Sequence, residues 1–471
     1  DTGQSQDHSK VVPLFCPLWG GQTRGPSDMN AKAVWTLMKE RLPAWRRAQD
    51  NGHQSSVLLP ADEPSPPTKM RPATGIVDAS LPDDQRWPAM MRAGTRHYES
   101  GEFRLAVDAF RAAAQLARGF GSDDPRLAVS LNDWAEACRA CGDWAQALSL
   151  CQESLALRGR VLGPSHPHVG VSLHNLGTLF LETGRLAEAA LAFERALTLL
   201  RGGLGCGHPD VAATLCGLAA VMKAEGHHPD AAEYVRQALA IRQEAFGWRH
   251  PEVAACLSAL GDIHRELGEY DKARNLCEQA LAMTRELLGH EHFAVAAILN
   301  NLALLNKTQG RLAEAELLYR QALAIEERTL GPQHPSLAAT LNNLAVLCLS
   351  LRRLTDAESL LRRALSICRD KSPTNHPDVG LILANLAETC RLSNRLPEAE
   401  SLCYQALSVA ESALPPNHPH RAAILNNLGV ILCARGQRKQ SKVLLENAAA
   451  VLEQRPADDR LAHVVRRNLR A

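Results

Sequence analysis

An acidic or histidine residue followed by proline returns every 42 positions along most of this chain. The pairs are Asp124-Pro125, His166-Pro167, His208-Pro209, His250-Pro251, His334-Pro335, His376-Pro377 and His418-Pro419, with His292-Phe293 keeping the register where the proline is lost. Seven equal steps mean one structural unit stacked many times, so 471 residues need no single closed core. A second marker keeps the same period: Gly142, Gly184, Gly226, Gly268, Gly310 and Gly436, replaced by Arg352 and Asn394 in two units.

These markers divide each period into two helices. Proline suits a first helical turn, because its φ is already helical and its missing N–H would have no partner there; glycine suits the residue just past a helix C-terminus. In the unit opening at His292, Ala294 to Gln309 reads as the first helix, with Val295, Ile298, Leu302 and Leu305 at helical spacing. Leu312 to Thr329 reads as the second, and Leu330-Gly331-Pro332-Gln333 leads into the next unit. A composition 45% hydrophobic but only 4% aromatic, rich in Ala and Leu, agrees with helix on helix rather than sheet.

Small residues recur where helices must come close. One row after the turn is Ala147, Ala189, Ala231, Ala273, Ala315, Ala357 and Ala399, ended by Ser441; a second, seven residues on, is Ala196, Ala238, Ala280, Ala322, Ala364 and Ala406, broken only by Ser154. A third lies on the first helix: Ala135, Gly177, Ala219, Gly261, Ala303, Ala345, Ala387 and Gly429. Small residues at these three places in a helix-turn-helix unit resemble the tetratricopeptide repeat, lengthened here from about 34 residues. The long unit, with Leu341 to Ala345 (Leu-Asn-Asn-Leu-Ala) and Leu330 to Pro335 (Leu-Gly-Pro-Gln-His-Pro), is similar to the repeats of kinesin light chains and nephrocystin-type proteins. Propeller blades and HEAT units share the length, but the Trp-Asp signature of the former is absent and the latter do not require the small-residue ladder.

The resemblance covers residues 87–453 and implies an all-α, right-handed superhelical solenoid of nine repeats, the first shortened to Trp87 through Gly121. Residues 454–471, with a charged segment from Asp458 to Arg470, read as a C-terminal capping helix. Residues 1–86 differ: seven prolines between Asn51 and Pro88 give a linker composition, expected to be largely disordered apart from one possible short helix at 28–42. The first residue is Asp1 rather than Met, which reads as a processed or truncated chain.

Lys and Arg number 52 against 51 Asp and Glu, so no global field draws the chain to nucleic acid. No apolar run reaches the roughly 18 residues of a membrane span. Thirteen scattered cysteines suit a reducing compartment, and a cytoplasmic location, with cytoskeletal or ciliary association, is what the resemblance implies. Cys138 and Cys141 form a C-x-x-C without a second pair, and repeated histidines one unit apart cannot share a metal, so no metal and no cofactor is expected. No phosphate loop, nucleophile elbow or zinc-protease motif occurs, which argues against an enzyme.

Function is therefore sought at polar residues of fixed phase on the first helices. Asn175, Asn301, Asn343, Asn385 and Asn427 share one position, with Asp133 in the first full unit; Asn is a mediocre helix former, so its repeated use wants a reason. Six residues later come Arg139, Lys223, Arg265, Lys307 and Arg391, interrupted by Leu181, Leu349 and Cys433. In tetratricopeptide families these positions face the concave groove, which implies an adaptor capturing extended, acidic peptide segments of partner proteins, as kinesin light chains take cargo. The alternatives are that Asn bridges neighbouring repeats and the cations complement helix dipoles. The whole chain would then be a structural or regulatory scaffold that binds folded partners, self-associates through other faces, or serves as the repeat region of a larger signalling protein.

Overall fold

The computed structural model describes residues 82–371, 377–414, 416, 418–452 and 460–470. The N-terminal segment, including the helix expected at 28–42, lies outside them. Among the described residues every regular element is an α-helix. They follow in nine pairs: α1 (Asp83–Glu99) with α2 (Phe103–Gly119), α3 (Pro125–Ala140) with α4 (Trp144–Leu162), α5 (Pro167–Glu182) with α6 (Leu186–Leu204), α7 (Pro209–Glu225) with α8 (His228–Phe246) and α9 (Pro251–Glu266) with α10 (Tyr270–Leu288). Then come α11 (Phe293–Thr308) with α12 (Leu312–Leu330), α13 (Leu337–Ser350) with α14 (Leu354–Lys371), α15 (Pro377–Leu392) with α16 (Leu396–Ala413) and α17 (Pro419–Ala434) with α18 (Arg438–Val451), and finally α19 (Arg460–Arg470). The chain is an all-α solenoid of tandem helix-turn-helix repeats. No described helix is long and apolar enough to cross a membrane.

The recurrent residues explain the helix ends. Asp124 Oδ1 accepts the N–H of Arg126 at 2.8 Å, and Nδ1 of His166, His208, His250, His292, His334 and His418 does the same for the residue two further on, at 3.1–3.2 Å. Histidine thus acts as an N-cap acceptor, a role that needs the neutral ring with its proton on Nε2. The glycine markers have positive φ, as a left-handed C-terminal turn requires, and Arg352 and Asn394 adopt the same conformation with φ of 60°.

The three small-residue rows are the places of closest helix approach. All seven alanines from Ala147 to Ala399 in the first row are 0% exposed. A Cβ on Gly177 would stand 2.9 Å from the Phe193 ring, and one on Gly429 2.9 Å from Leu445. The two serines that interrupt the alanine rows are buried too and use their hydroxyls: Ser154 donates to the Ala128 carbonyl at 2.9 Å and Ser441 to that of Gly429 at 2.7 Å. A buried polar atom is tolerated only when so satisfied.

Packing is mostly between neighbours, as in any solenoid: helices pack within a pair, then against the next pair. Successive first helices approach one another more closely than successive second helices, which puts the first helices on the inner side of the curve. Two long-range contacts break the nearest-neighbour rule. A Cβ on Gly101, in the turn between α1 and α2, would overlap the ring of His334, which opens the seventh pair; Phe103 lies 6.4 Å from that ring, edge to face. A Cβ on Gly184, in the turn between α5 and α6, would overlap His418, which opens the ninth. The partners are 233 and 234 residues apart, between five and six periods of 42, so the solenoid winds back until its edges touch.

Candidate functional site

The inner face is built from one stripe on each first helix, its residues three or four apart, turned away from the second helices. In α11 the stripe is Phe293, Ala297, Asn301 and Leu304, all half-buried between fully buried neighbours. At the same phase stand Asn175 in α5, Gly217 in α7 and Ala259 in α9, each half-buried, although at Gly217 the Phe193 ring of α6 fills the place of a side chain. Further along it closes: Asn343 is 5% exposed, and Asn385 and Asn427 are 0%.

The Asn ladder laces adjacent repeats together. Asn175 Nδ2 donates to Asn132 Oδ1 at 2.5 Å, Asn301 to Ser258 Oγ at 3.0 Å and Asn385 to Asn342 Oδ1 at 2.8 Å, each 43 residues back. In α19, Asn468 donates to Asn426 Oδ1 at 2.8 Å, so this last helix docks in the register of a further first helix. These bonds explain the residue type: a short amide reaches the next helix without spreading the pair. Asn343 differs, since its Oδ1 is buried without a hydrogen-bond partner.

The basic ladder is neutralised from within. Arg139 pairs with Glu136 on its own helix (Nε to Oε2, 2.8 Å) and with Glu182 of the next repeat; Lys223 pairs with Asp262 one repeat on, and Asp262 also accepts from Arg265 at 2.8 Å. Arg391 pairs with Glu388 at 2.7 Å. Burial alone would push the Asp262 carboxyl up, but Lys223 and Arg265 hold it well below the usual carboxylate range; burial pushes Glu388 up against the pull of Arg391. Arg139 and Arg265 are buried, whereas Lys223, Lys307 and Arg391 are half-buried. The basic ladder Arg139, Lys223, Arg265, Lys307 and Arg391 is thus engaged in internal ion pairs in at least four of its five members. Glu136, Asp262 and Glu388 sit three residues before Arg139, Arg265 and Arg391, a helical pairing distance that was readable beforehand. The links from Arg139 to Glu182 and from Lys223 to Asp262 depend on how repeats stack.

The two thiols of the C-x-x-C pair are buried. Burial pushes Cys138 up to about 12 and Cys141 to about 11, which suppresses the thiolate needed for metal binding or redox exchange. Among the described residues no group of three His, Cys, Asp or Glu side chains could hold a metal ion.

Tandem helix pairs with small residues at their crossings, wound around an amide-laced inner face, define a helical repeat protein of the protein-interaction class. The tetratricopeptide repeat model matches residues 126–202, 192–244, 210–286, 252–327, 309–370 and 378–454, well over half of the chain, and the chain belongs to that family. No curated protein matches the sequence. Among solved structures, BtubC (BKLC) from P. vanneervenii is 27% identical with a TM-score of 0.39, covering 49% of this chain and 91% of its own. The kinesin-light-chain-type, nearly identical TPR-like repeats of Podosopora anserina are 27% identical with a TM-score of 0.38, covering 44% and 97%. The quorum sensor NprR from B. thuringiensis is 15% identical with a TM-score of 0.49, covering 79% and 97%.

Proposed function

We propose that this chain is a protein-interaction scaffold whose inner face takes an extended segment of a partner protein along the third to sixth repeats, as a cargo adaptor or assembly platform of the kinesin-light-chain kind would. The observation that carries this reading is the half-open stripe through Asn175, Ala259, Asn301 and Leu304, which lies between closed neighbours. An extended peptide has unpaired backbone N–H groups, and the half-buried Asn175 and Asn301 carry amide oxygens that can accept them.

The charge of the segment follows from the ion pairs. Because Glu136, Glu182, Asp262 and Glu388 face the ladder cations, a strongly acidic peptide would have to compete with carboxylates already in place. We therefore expect an acidic segment to gain less than tenfold over a neutral one of equal length.

Titration of acidic, neutral and basic peptides by calorimetry tests both parts. An Asn301→Ala variant should bind at least tenfold more weakly while keeping its helical circular dichroism, since the bond it gives up inside the fold is the one from Nδ2 to Ser258 Oγ. Unchanged affinity would sink the inner-face assignment; a preference for acidic peptides above a hundredfold would overturn the charge argument alone.

A further inference from the structure

The contact between windings joins a turn and a loop whose geometry recurs in other repeats. Gly101 and Gly184 stand at the turn between the two helices of a pair, with positive φ of 72° each, and are covered by the histidine that caps a first helix five to six periods later. Gly268, Gly310 and Gly436 occupy the same turn with φ of 75°, 77° and 80°, and nothing stands within 4 Å of where their Cβ would be. One rim of the molecule thus presents the same turns, uncovered.

The opposite rim presents the matching seats. The loops Gly205–Gly207, Gly247–Arg249 and Gly289–Glu291 precede His208, His250 and His292 and are exposed along their length. They have the sequence form of the loop that seats Gly101, where Gly331 and Pro332 precede His334. Trp248 holds the place of Pro332 two residues before the capping histidine, and it is 72% exposed, the most exposed large apolar side chain among the described residues. A bare tryptophan in a histidine-capped loop is the residue type that anchors protein interfaces.

We propose that a second copy of this chain docks there: the uncovered turns of one molecule seat on the exposed loops that precede the capping histidines of the next, with Trp248 as anchor, so that the contact already made between windings continues between molecules. The two rims are different surfaces, so the association is head to tail and open-ended rather than a closed two-fold dimer. It does not involve the inner stripe and stands independently of the peptide-binding reading.

Sedimentation velocity of the full chain over a hundredfold concentration range tests this. Wild type should show mass-dependent growth past the dimer, and Trp248→Glu should weaken self-association at least tenfold with unchanged circular dichroism, because the side chain lies in a loop and packs on little. The mixing experiment separates modes: fluorescently labelled Trp248→Glu, unable to bind itself, should still join wild type through its intact turns and shorten the assemblies. A wild type that stays monomeric throughout, assemblies that stop at dimers, or self-association unaffected by Trp248→Glu would each overturn the proposal.

Discussion

Single residues here carry two kinds of constraint, conformational and protonic. Arg352 takes φ of 60° where most repeats have glycine, and a side chain with a Cβ is strained in that region by about 1–2 kcal/mol. Glycine would relieve this but adds freedom to the unfolded chain, so Arg352→Gly should raise stability by about 0.5–1 kcal/mol, read as a higher denaturant midpoint. Lower stability would mean that the arginine makes a contact worth more than the strain. The protonic constraint lies in the histidines. Burial lowers His174 to about 4. This is below the ordinary value near 6.5, so the fold favours the neutral ring: its contribution is present above pH ~6.5 and lost as pH falls toward 4. Thermal midpoints should therefore drop between pH 6.5 and 4, and His174→Leu should flatten that limb. An identical acid limb in the variant would assign the loss to other groups.

At the scale of helices, the spacing of a pair is set by side chains that are absent. Ala315 is fully buried in the cluster with Ala303, Tyr319, Leu344 and Leu347. Three added carbons have nowhere to go in packing of crystal-like density, so Ala315→Leu should destabilise by about 1–3 kcal/mol, whereas Leu317, 59% exposed two residues away, should accept Leu317→Gln within about 0.5 kcal/mol. Urea unfolding of the two variants measures both. Equal losses would show that the small row does not set the helix spacing. The element scale is also where the sequence is most legible. His-Pro, glycine and the alanine rows act within one helix or between helices adjacent in the chain, and such contacts leave a local, periodic mark. The i,i+3 carboxylates beside Arg139, Arg265 and Arg391 left such a mark too, and their neutralising effect follows from it.

For the whole molecule, the contact between windings is the feature with the longest reach. His334 does two things: Nδ1 caps a helix, and the far edge of the ring lies on Gly101. Asparagine can keep the cap but cannot reach the glycine, so His334→Asn should leave helix content unchanged and stability altered by less than about 0.5 kcal/mol. It should nevertheless loosen the coil, seen as a larger radius of gyration by X-ray scattering. An unchanged radius would show that the rims are held together elsewhere.

The amino-acid sequence by itself determined the unit: its period, its two helices, the residues that start, stop and pack them, and so the family. These depend on interactions spanning a few residues or one repeat, which composition and spacing record directly. Tertiary structure alone decided how the units add up. Whether Asn385 lines a groove or is sealed between helices, whether Lys223 is a free cation or the partner of Asp262, and whether Gly101 meets His334 all follow from a small rotation between repeats, accumulated over five to six of them. No single residue encodes that rotation. It is the sum of many side-chain volumes, and only the packed molecule performs the sum.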